Sequence, residues 1–136
     1  MAGGGDFDLQ AITRPNIWSL EAYHCARDDY TEGVLLDANE NSFGPPVSPN
    51  DLVYERYPCP YQQELKTLVA GYRGVDWTNV FVGVGSDEAI DMLVRIFCVP
   101  GKDSIIINPP TYGMYSVSAA TNDVGVVKVP LTTDFE

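Results

Sequence analysis

Apolar side chains recur three and four positions apart in two stretches, residues 62–72 and 86–99, which is typical of amphipathic helices. A third helix is predicted over 115–121. Short apolar runs stand between these stretches, and we expect strands at 80–82, 104–107 and 125–129. The run 104–107 is rich in β-branched residues and bounded by prolines, so it is predicted to be a central, fully buried strand.

Strand, helix, strand, helix, strand is the order of a parallel α/β sheet, and an α/β fold class is therefore predicted. A further short strand is expected at 34–36. The chain stops at Glu136, just after a strand, where such a domain would continue with a helix. We therefore interpret it as part of a domain, and we expect the isolated chain to be marginally stable or prone to aggregation, because its apolar residues need covering layers.

Residues 1–33 are predicted to form an extended N-terminal arm, and 34–136 the incomplete first part of a large domain. The arm carries scattered apolar side chains, Trp18 among them, and the break at Arg14-Pro15 divides it. Such side chains on an arm need a partner surface, either another domain or another subunit.

Composition narrows the possible partners. The 136 residues carry a net charge of −11, which argues against nucleic acid and against an anionic membrane surface. No apolar run is long enough to span a bilayer, and the N-terminus lacks the features of a signal peptide. Three widely spaced cysteines indicate reduced thiols in a cytoplasmic protein, and the single histidine, His24, leaves no plausible metal site.

The segment Val82–Asp91 contains a glycine turn between a predicted strand and a predicted helix. Such a turn suits a phosphate group, because the backbone can approach closely and the first helical N–H groups have no intrahelical partner. Glu88 stands where a dinucleotide fingerprint has its third glycine, so a nicotinamide site is not expected. The alternative is structural: Ser86 caps the helix, and Asp87 and Glu88 complement its dipole. The local residues fit both interpretations.

A second candidate is Tyr112, in the turn that follows the strand at 104–107. Ligands of parallel sheets bind beyond the carboxyl ends of the strands, which would place Tyr112 beside the Gly85–Ser86 turn. A tyrosine there can stack on a planar ring. The alternative is a tyrosine that packs under a loop.

Several motifs together resemble one family, the histidinol-phosphate aminotransferases. They occur in the family's order and at similar spacing, at Leu20–Asp29, Leu36–Asn41, Arg56–Pro58, Gly83–Glu88 and Pro109–Val117. The first is most similar to the fungal enzymes. The resemblance implies a dimeric, fold-type I enzyme that uses pyridoxal 5'-phosphate (PLP) to exchange an amino group between histidinol phosphate and 2-oxoglutarate, in histidine biosynthesis.

The resemblance also implies roles for individual residues. Gly85, Ser86 and Asp87 match the turn that holds the cofactor phosphate, mainly through backbone N–H groups. Tyr112 matches the tyrosine stacked on the pyridine ring. Tyr57 matches a tyrosine that reaches the cofactor phosphate of the neighbouring subunit.

Tyr23 and Asn39 match positions near the substrate, and the arm is implied to pack across the dimer. The chain lacks the Ser-Lys motif whose lysine binds the cofactor covalently, and none of Lys66, Lys102 and Lys128 matches it. We therefore expect no catalytic residue and no transamination by this polypeptide alone. The alternative hypothesis is a naturally truncated, non-enzymatic paralogue that binds phosphate or PLP weakly or pairs with a full-length subunit.

Overall fold

The computed structural model describes residues 7–30, 32–46 and 54–134. They form two compact units. One comprises the described residues of 1–20 and 83–136, and the other the described residues of 21–82. The predicted boundary between an arm (1–33) and a large domain (34–136) remains a prediction.

In the first unit, the residues from Gly85 onward form an α/β arrangement. Helix α4 (Gly85–Phe97) leads to strand β1 (Ser104–Ile107), then helix α5 (Met114–Thr121) and strand β2 (Gly125–Lys128). The two strands are parallel, with Ser104 opposite Gly125 and Ile107 opposite Lys128. The sequence prediction of both helices, both strands and the α/β class is confirmed.

The core of this unit lies where α4 and α5 pack together beside the sheet. Its buried residues are Val94 of α4, Ala119 of α5 and Val124, and Ile105 and Val126 of the two strands pack against them. Ala119 is completely buried, so α5 approaches its neighbours closely at a small side chain. Apolar burial of this kind favours the folded state without demanding a particular direction of contact.

The sheet is smaller than the sequence predicts. Among the described residues, only β1 and β2 pair, and the strands expected at 34–36 and 80–82 do not form. Val80 does have extended dihedral angles, but an extended segment becomes a strand only when a neighbour accepts its hydrogen bonds. The prediction that 104–107 is central and fully buried is wrong for the same reason: with one neighbouring strand, Ile106 is 68% exposed.

The prediction of an extended N-terminal arm is not confirmed, because residues 9–18 contain two helical turns. Helices α1 (Leu9–Ile12) and α2 (Pro15–Trp18) are each a single turn. The Asp8 carboxylate accepts hydrogen bonds from the first backbone N–H groups of α1, and Pro15 opens α2 at a position that needs no N–H donor. Arg14 then joins this segment to α4: its N–H donates to the Ile96 carbonyl at 3.0 Å.

The second unit contains one longer helix, α3 (Gln63–Arg73), and two short 3₁₀ helices, Ala26–Asp28 and Trp77–Asn79. The helix predicted at 62–72 is thus confirmed. It ends at Gly74, whose φ of 68° suits glycine. Across all the described residues, no helix combines the length and apolar character needed to cross a membrane.

Candidate functional site

The glycine turn that precedes α4 carries the first candidate site. Gly85 has a φ of 72°, in the left-handed region that glycine adopts without strain. Its N–H donates to the Gly83 carbonyl at 3.0 Å, which closes the turn. The N–H groups of Ser86 and Asp87 come next in the first turn of the helix, where no intrahelical partner exists. They supply two hydrogen-bond donors at the positive end of the helix dipole.

Ser86 does not cap α4, so the structural alternative for this residue is wrong. The N-cap position is Val84, and no N-cap side chain bonds to the helix. Glu88 provides the reciprocal contact instead, because its carboxylate accepts the Val84 N–H at 2.5 Å. The part of the structural alternative that concerns Asp87 and Glu88 stands, since both carboxylates lie in the first turn of α4, where they complement its dipole.

Tyr112 lies against this turn. Its hydroxyl donates to the two carboxylate oxygens of Asp87, at 3.0 and 3.2 Å. The ring also makes an edge-to-face contact with Tyr115, at 6.2 Å between centroids and 86° between planes. The hydrogen bond to Asp87, together with partial burial and the Asp87 charge, raises the pKa of Tyr112 above its ordinary value. The phenol therefore remains a donor near neutral pH.

These contacts make a site that suits an anion beside a planar ring. The Ser86 and Asp87 N–H groups offer the donors for a phosphate, and the half-exposed Tyr112 ring offers an apolar face. Two carboxylates next to a phosphate would repel it if they were unpaired. Here the Asp87 carboxylate accepts a tyrosine hydroxyl and the Glu88 carboxylate accepts a backbone N–H, which disperses part of each charge.

The second unit carries the other predicted residues, Tyr23, Asn39 and Tyr57. Asn39 has a φ of 51°, a left-handed conformation that asparagine tolerates better than most residues. The side chains of Tyr23 and Tyr57 are 87% and 64% exposed. Within the described part of this unit, no hydrogen bond joins Tyr23 to either of the other two.

An ion-pair cluster connects the segments of Asn39 and Tyr57. Arg56 donates from Nη2 to Asp37 at 2.6 Å and from Nε to Glu40 at 2.8 Å. Burial raises the pKa of Glu40, but hydrogen bonds from the backbone N–H groups of Glu40 and Ala38 and from Arg56 outweigh it and lower that pKa to about 2. The Glu40 carboxylate is therefore fully ionised at neutral pH.

Sequence reasoning missed Arg56, Asp37 and Glu40. All three lie inside motifs that carry the family resemblance, Leu36–Asn41 and Arg56–Pro58, so the motifs marked the segments without revealing the ion pairs. The contacts span 16 and 19 residues of sequence. No local pattern in the sequence pairs Arg56 with either carboxylate.

Comparison with known proteins decides the family. The profile described as "Aminotransferase class I and II" matches residues 34–136, which is most of the chain and includes both the Asn39 segment and the Gly85 turn. The chain belongs to the class I and II aminotransferase family. Members of this family generally depend on PLP.

Individual relatives extend this result. The chain is 51% identical to the histidinol-phosphate aminotransferases of Candida maltosa and Saccharomyces cerevisiae, and 50% identical to that of Schizosaccharomyces pombe. The alignments cover 96%, 93% and 95% of this chain, and 38%, 36% and 36% of the relatives. This aminotransferase chain thus spans a little over a third of the length of the curated relatives it matches.

The three lysines of this class I and II aminotransferase chain lie where the sequence placed them. Lys66 is in α3, Lys102 follows α4 in a turn, and Lys128 ends β2.

All three cysteines are free thiols. In the part of the chain that the structure describes, no group of three or more His, Cys, Asp or Glu residues is arranged to hold a metal ion.

Proposed function

We propose that the protein is a PLP-dependent aminotransferase that exchanges an amino group between histidinol phosphate and 2-oxoglutarate or glutamate, in histidine biosynthesis. The observation that carries the proposal is the identity of 50–51% to three proteins of that name over more than nine-tenths of this chain. The three free cysteines support a cytoplasmic location.

The geometry of the first unit supports the cofactor. Gly85, Ser86 and Asp87 would hold the phosphate of PLP, through the outward N–H groups of the first helical turn and the Ser86 hydroxyl. Tyr112 would lie on the pyridine ring, with its orientation fixed by Asp87 and Tyr115. When bound, PLP supplies an electron sink for the carbanion chemistry of transamination. The residues of this chain would bind the cofactor and orient its ring.

Tyr57, Asn39 and Tyr23 would have roles of their own in binding the cofactor and the substrate. In this proposal Tyr57 reaches the cofactor phosphate of a neighbouring subunit, and Tyr23 and Asn39 lie near the substrate. The high exposure of Tyr23 and Tyr57 supports these roles, because neither side chain is buried within its own unit and both are free to contact a ligand.

A homodimer is part of the same proposal. Residues 7–20 present Phe7, Trp18 and Leu20, which are 80%, 49% and 68% exposed. Apolar surface of this kind favours a partner surface, and two-fold dimers are the commonest assemblies. An arm that packs across the dimer would cover these side chains.

The test of the activity is an amino-donor comparison with the full-length protein. Purified protein is supplied with PLP and 2-oxoglutarate, and glutamate formation is measured with histidinol phosphate, aspartate or phenylalanine as donor. We expect kcat/KM to be highest for histidinol phosphate by at least about tenfold, because the phosphate adds a charged anchor. Equal or higher efficiency with either amino acid would overturn the substrate assignment.

The role of Tyr57 across the dimer has its own test. Two inactive variants, Tyr57→Ala and Tyr112→Ala, are unfolded together and refolded as a mixture. If the two residues serve one site from different subunits, hybrid dimers contain one intact site, and about a quarter of the activity returns. If both residues serve the site of their own subunit, every site keeps one defect and no activity returns.

A further inference from the structure

Arg56 connects two segments of the second unit, the one that carries Asn39 and the one that carries Tyr57. It directly precedes Tyr57 in the chain, and its side chain reaches back to Asp37 and Glu40, which stand on either side of Asn39. The side chains of Arg56 and Glu40 are only 11% and 8% exposed, and that of Asp37 is 22% exposed. A cluster this well shielded is weakly screened by salt and keeps its geometry.

We propose that Arg56 is a positioning residue that fixes Asn39 and Tyr57 relative to each other. The inference rests on the proposed function, which gives Asn39 a substrate-side role and Tyr57 a phosphate-side role. Through Asp37 and Glu40, Arg56 holds the segment of Asn39 and the segment of Tyr57 together.

The Glu40 carboxylate also closes the loop that carries Asn39. One oxygen of Glu40 accepts from Arg56, and the other accepts the Ala38 N–H at 3.1 Å. Asn39 lies between these two contacts with its backbone in the left-handed region. Loss of the Arg56 contact would leave a buried carboxylate unpaired, which favours rearrangement of the whole loop.

Two different guanidinium nitrogens make the two ion pairs, and this explains why arginine suits the position. The planar fork presents Nε to one carboxylate and Nη2 to the other at the same time. A lysine is a single compact charge on a flexible stem and cannot hold two carboxylates in a fixed mutual orientation. We therefore expect Arg56→Lys to restore only part of the function.

Tyr57 is held from a second direction as well. Arg27, in the 3₁₀ helix Ala26–Asp28, donates from Nη2 to the Tyr57 carbonyl. The adjacent Asp28 accepts the Tyr61 hydroxyl at 2.8 Å. The backbone around Tyr57 is thus fixed on both sides, while the side chain stays exposed and available.

The first arm of the test uses amide hydrogen exchange in the full-length protein. Arg56→Met is compared with Arg56→Lys and with the control Arg73→Met, which removes an exposed positive charge from the end of α3. We expect Arg56→Met to accelerate exchange about tenfold or more in segments 37–40 and 57–59 together, with α3 unchanged. Arg56→Lys should lie between, and Arg73→Met should match the wild type.

Acceleration in only one of the two segments would overturn the proposal, because Arg56 would then not couple them. Equal acceleration across the whole protein would overturn it too, since that result means general loss of stability. Neither outcome depends on whether the protein is an aminotransferase.

The second arm measures PLP affinity by absorbance and the KM for histidinol phosphate. We expect Arg56→Met to weaken both by about ten- to a hundredfold, because small displacements of positioning groups are costly. Unchanged PLP affinity and KM in a variant with coupled loosening would overturn the role of Arg56 in the site. A wild-type protein that binds no PLP would overturn the proposed function, and the exchange arm alone would then decide whether Arg56 couples the segments.

Discussion

Different interactions stabilise the unit that contains α4 and the unit that contains α3. In the first, Val94, Ala119 and Val124 are buried against each other between two helices and a sheet. In the second, the described residues bury one apolar side chain, Ala70, and the well-shielded contacts around Arg56 are ion pairs. Apolar burial is strong but tolerates small shifts, whereas ion pairs are directional.

This difference matches the work proposed for each unit. The first would hold the anion of the cofactor at the N-terminal end of α4, a helix that packs in the core through Val94. The second must place individual side chains, Asn39 and Tyr57, on loops with little regular structure. Directional contacts can fix a loop where a packed core is not at hand.

The largest expected effect is the loss of apolar burial in the first unit. Ile107 is 7% exposed, and Ile107→Ala should lower the free energy of unfolding of the full-length protein by about 2–5 kcal/mol. Urea denaturation followed by circular dichroism measures this. Ile106→Ala is the matched control in the same strand, because Ile106 is 68% exposed and should cost far less. Equal losses for the two variants would contradict the burial pattern.

Replacing one glycine in each unit by alanine should change the stability of the protein in opposite directions. Gly85→Ala should destabilise the protein by about 1–2 kcal/mol, because alanine resists the left-handed backbone of the turn. Gly71→Ala should instead stabilise it by about 0.5–1 kcal/mol, since Gly71 lies inside α3 with open space around it. Thermal unfolding of both variants tests the pair. Gly85→Ala should also weaken PLP binding, and an unchanged affinity would count against the phosphate turn.

Acid should reveal the directional contacts of the second unit. The depressed pKa of Glu40 means that its stabilising contribution is complete above the ordinary carboxyl value of 4.5 and is lost as the pH falls through about 2. Carbon-13 NMR of labelled glutamates should show one carboxyl that titrates near pH 2. Arg56→Met should move that titration upward, and a wild-type midpoint near 4.5 would contradict the cluster.

The smallest effect belongs to an exposed pair. The hydrogen bond and charge of Asp29, whose Oδ2 lies 2.8 Å from Nε2, raise the pKa of His24 above 6.5. This contribution is complete below pH 6.5 and is lost as the pH rises through the raised pKa. Asp29→Asn should lower the NMR titration midpoint of this single histidine. Asp28→Asn is the control, because its carboxylate lies 3.9 Å from Nδ1 and should matter less.

The sequence predicted those elements whose evidence is local. Helices α3 and α4 follow from the spacing of apolar residues, and β1 and β2 from short β-branched runs between turns. Helix α5 was also predicted. The position of Tyr112 beside the Gly85 turn also follows, because both lie at ends of neighbouring elements in an α/β order. The structure places the Tyr112 hydroxyl on the carboxylate of Asp87.

What the sequence did not predict depends on contacts between distant residues. Residues 34–36 and 80–82 have the composition of strands, but a strand also needs a paired neighbour. The sequence analysis of the arm (1–33) also did not reveal the two helical turns that Asp8 and Pro15 start within residues 9–18. The Arg56 cluster joins loops 16 and 19 residues apart, and no spacing rule connects them.

The left-handed backbone of Asn39 restricts how this position can change. With a φ of 51°, it accepts glycine, aspartate or asparagine far more readily than a branched or bulky residue. Single-step exchange of this side chain for a larger one would therefore strain the loop that Glu40 and Arg56 hold. The loop's evolvability is therefore narrow: with Asn39 in its proposed role near the substrate, a new preference that begins at residue 39 would require remodelling of the loop as a whole.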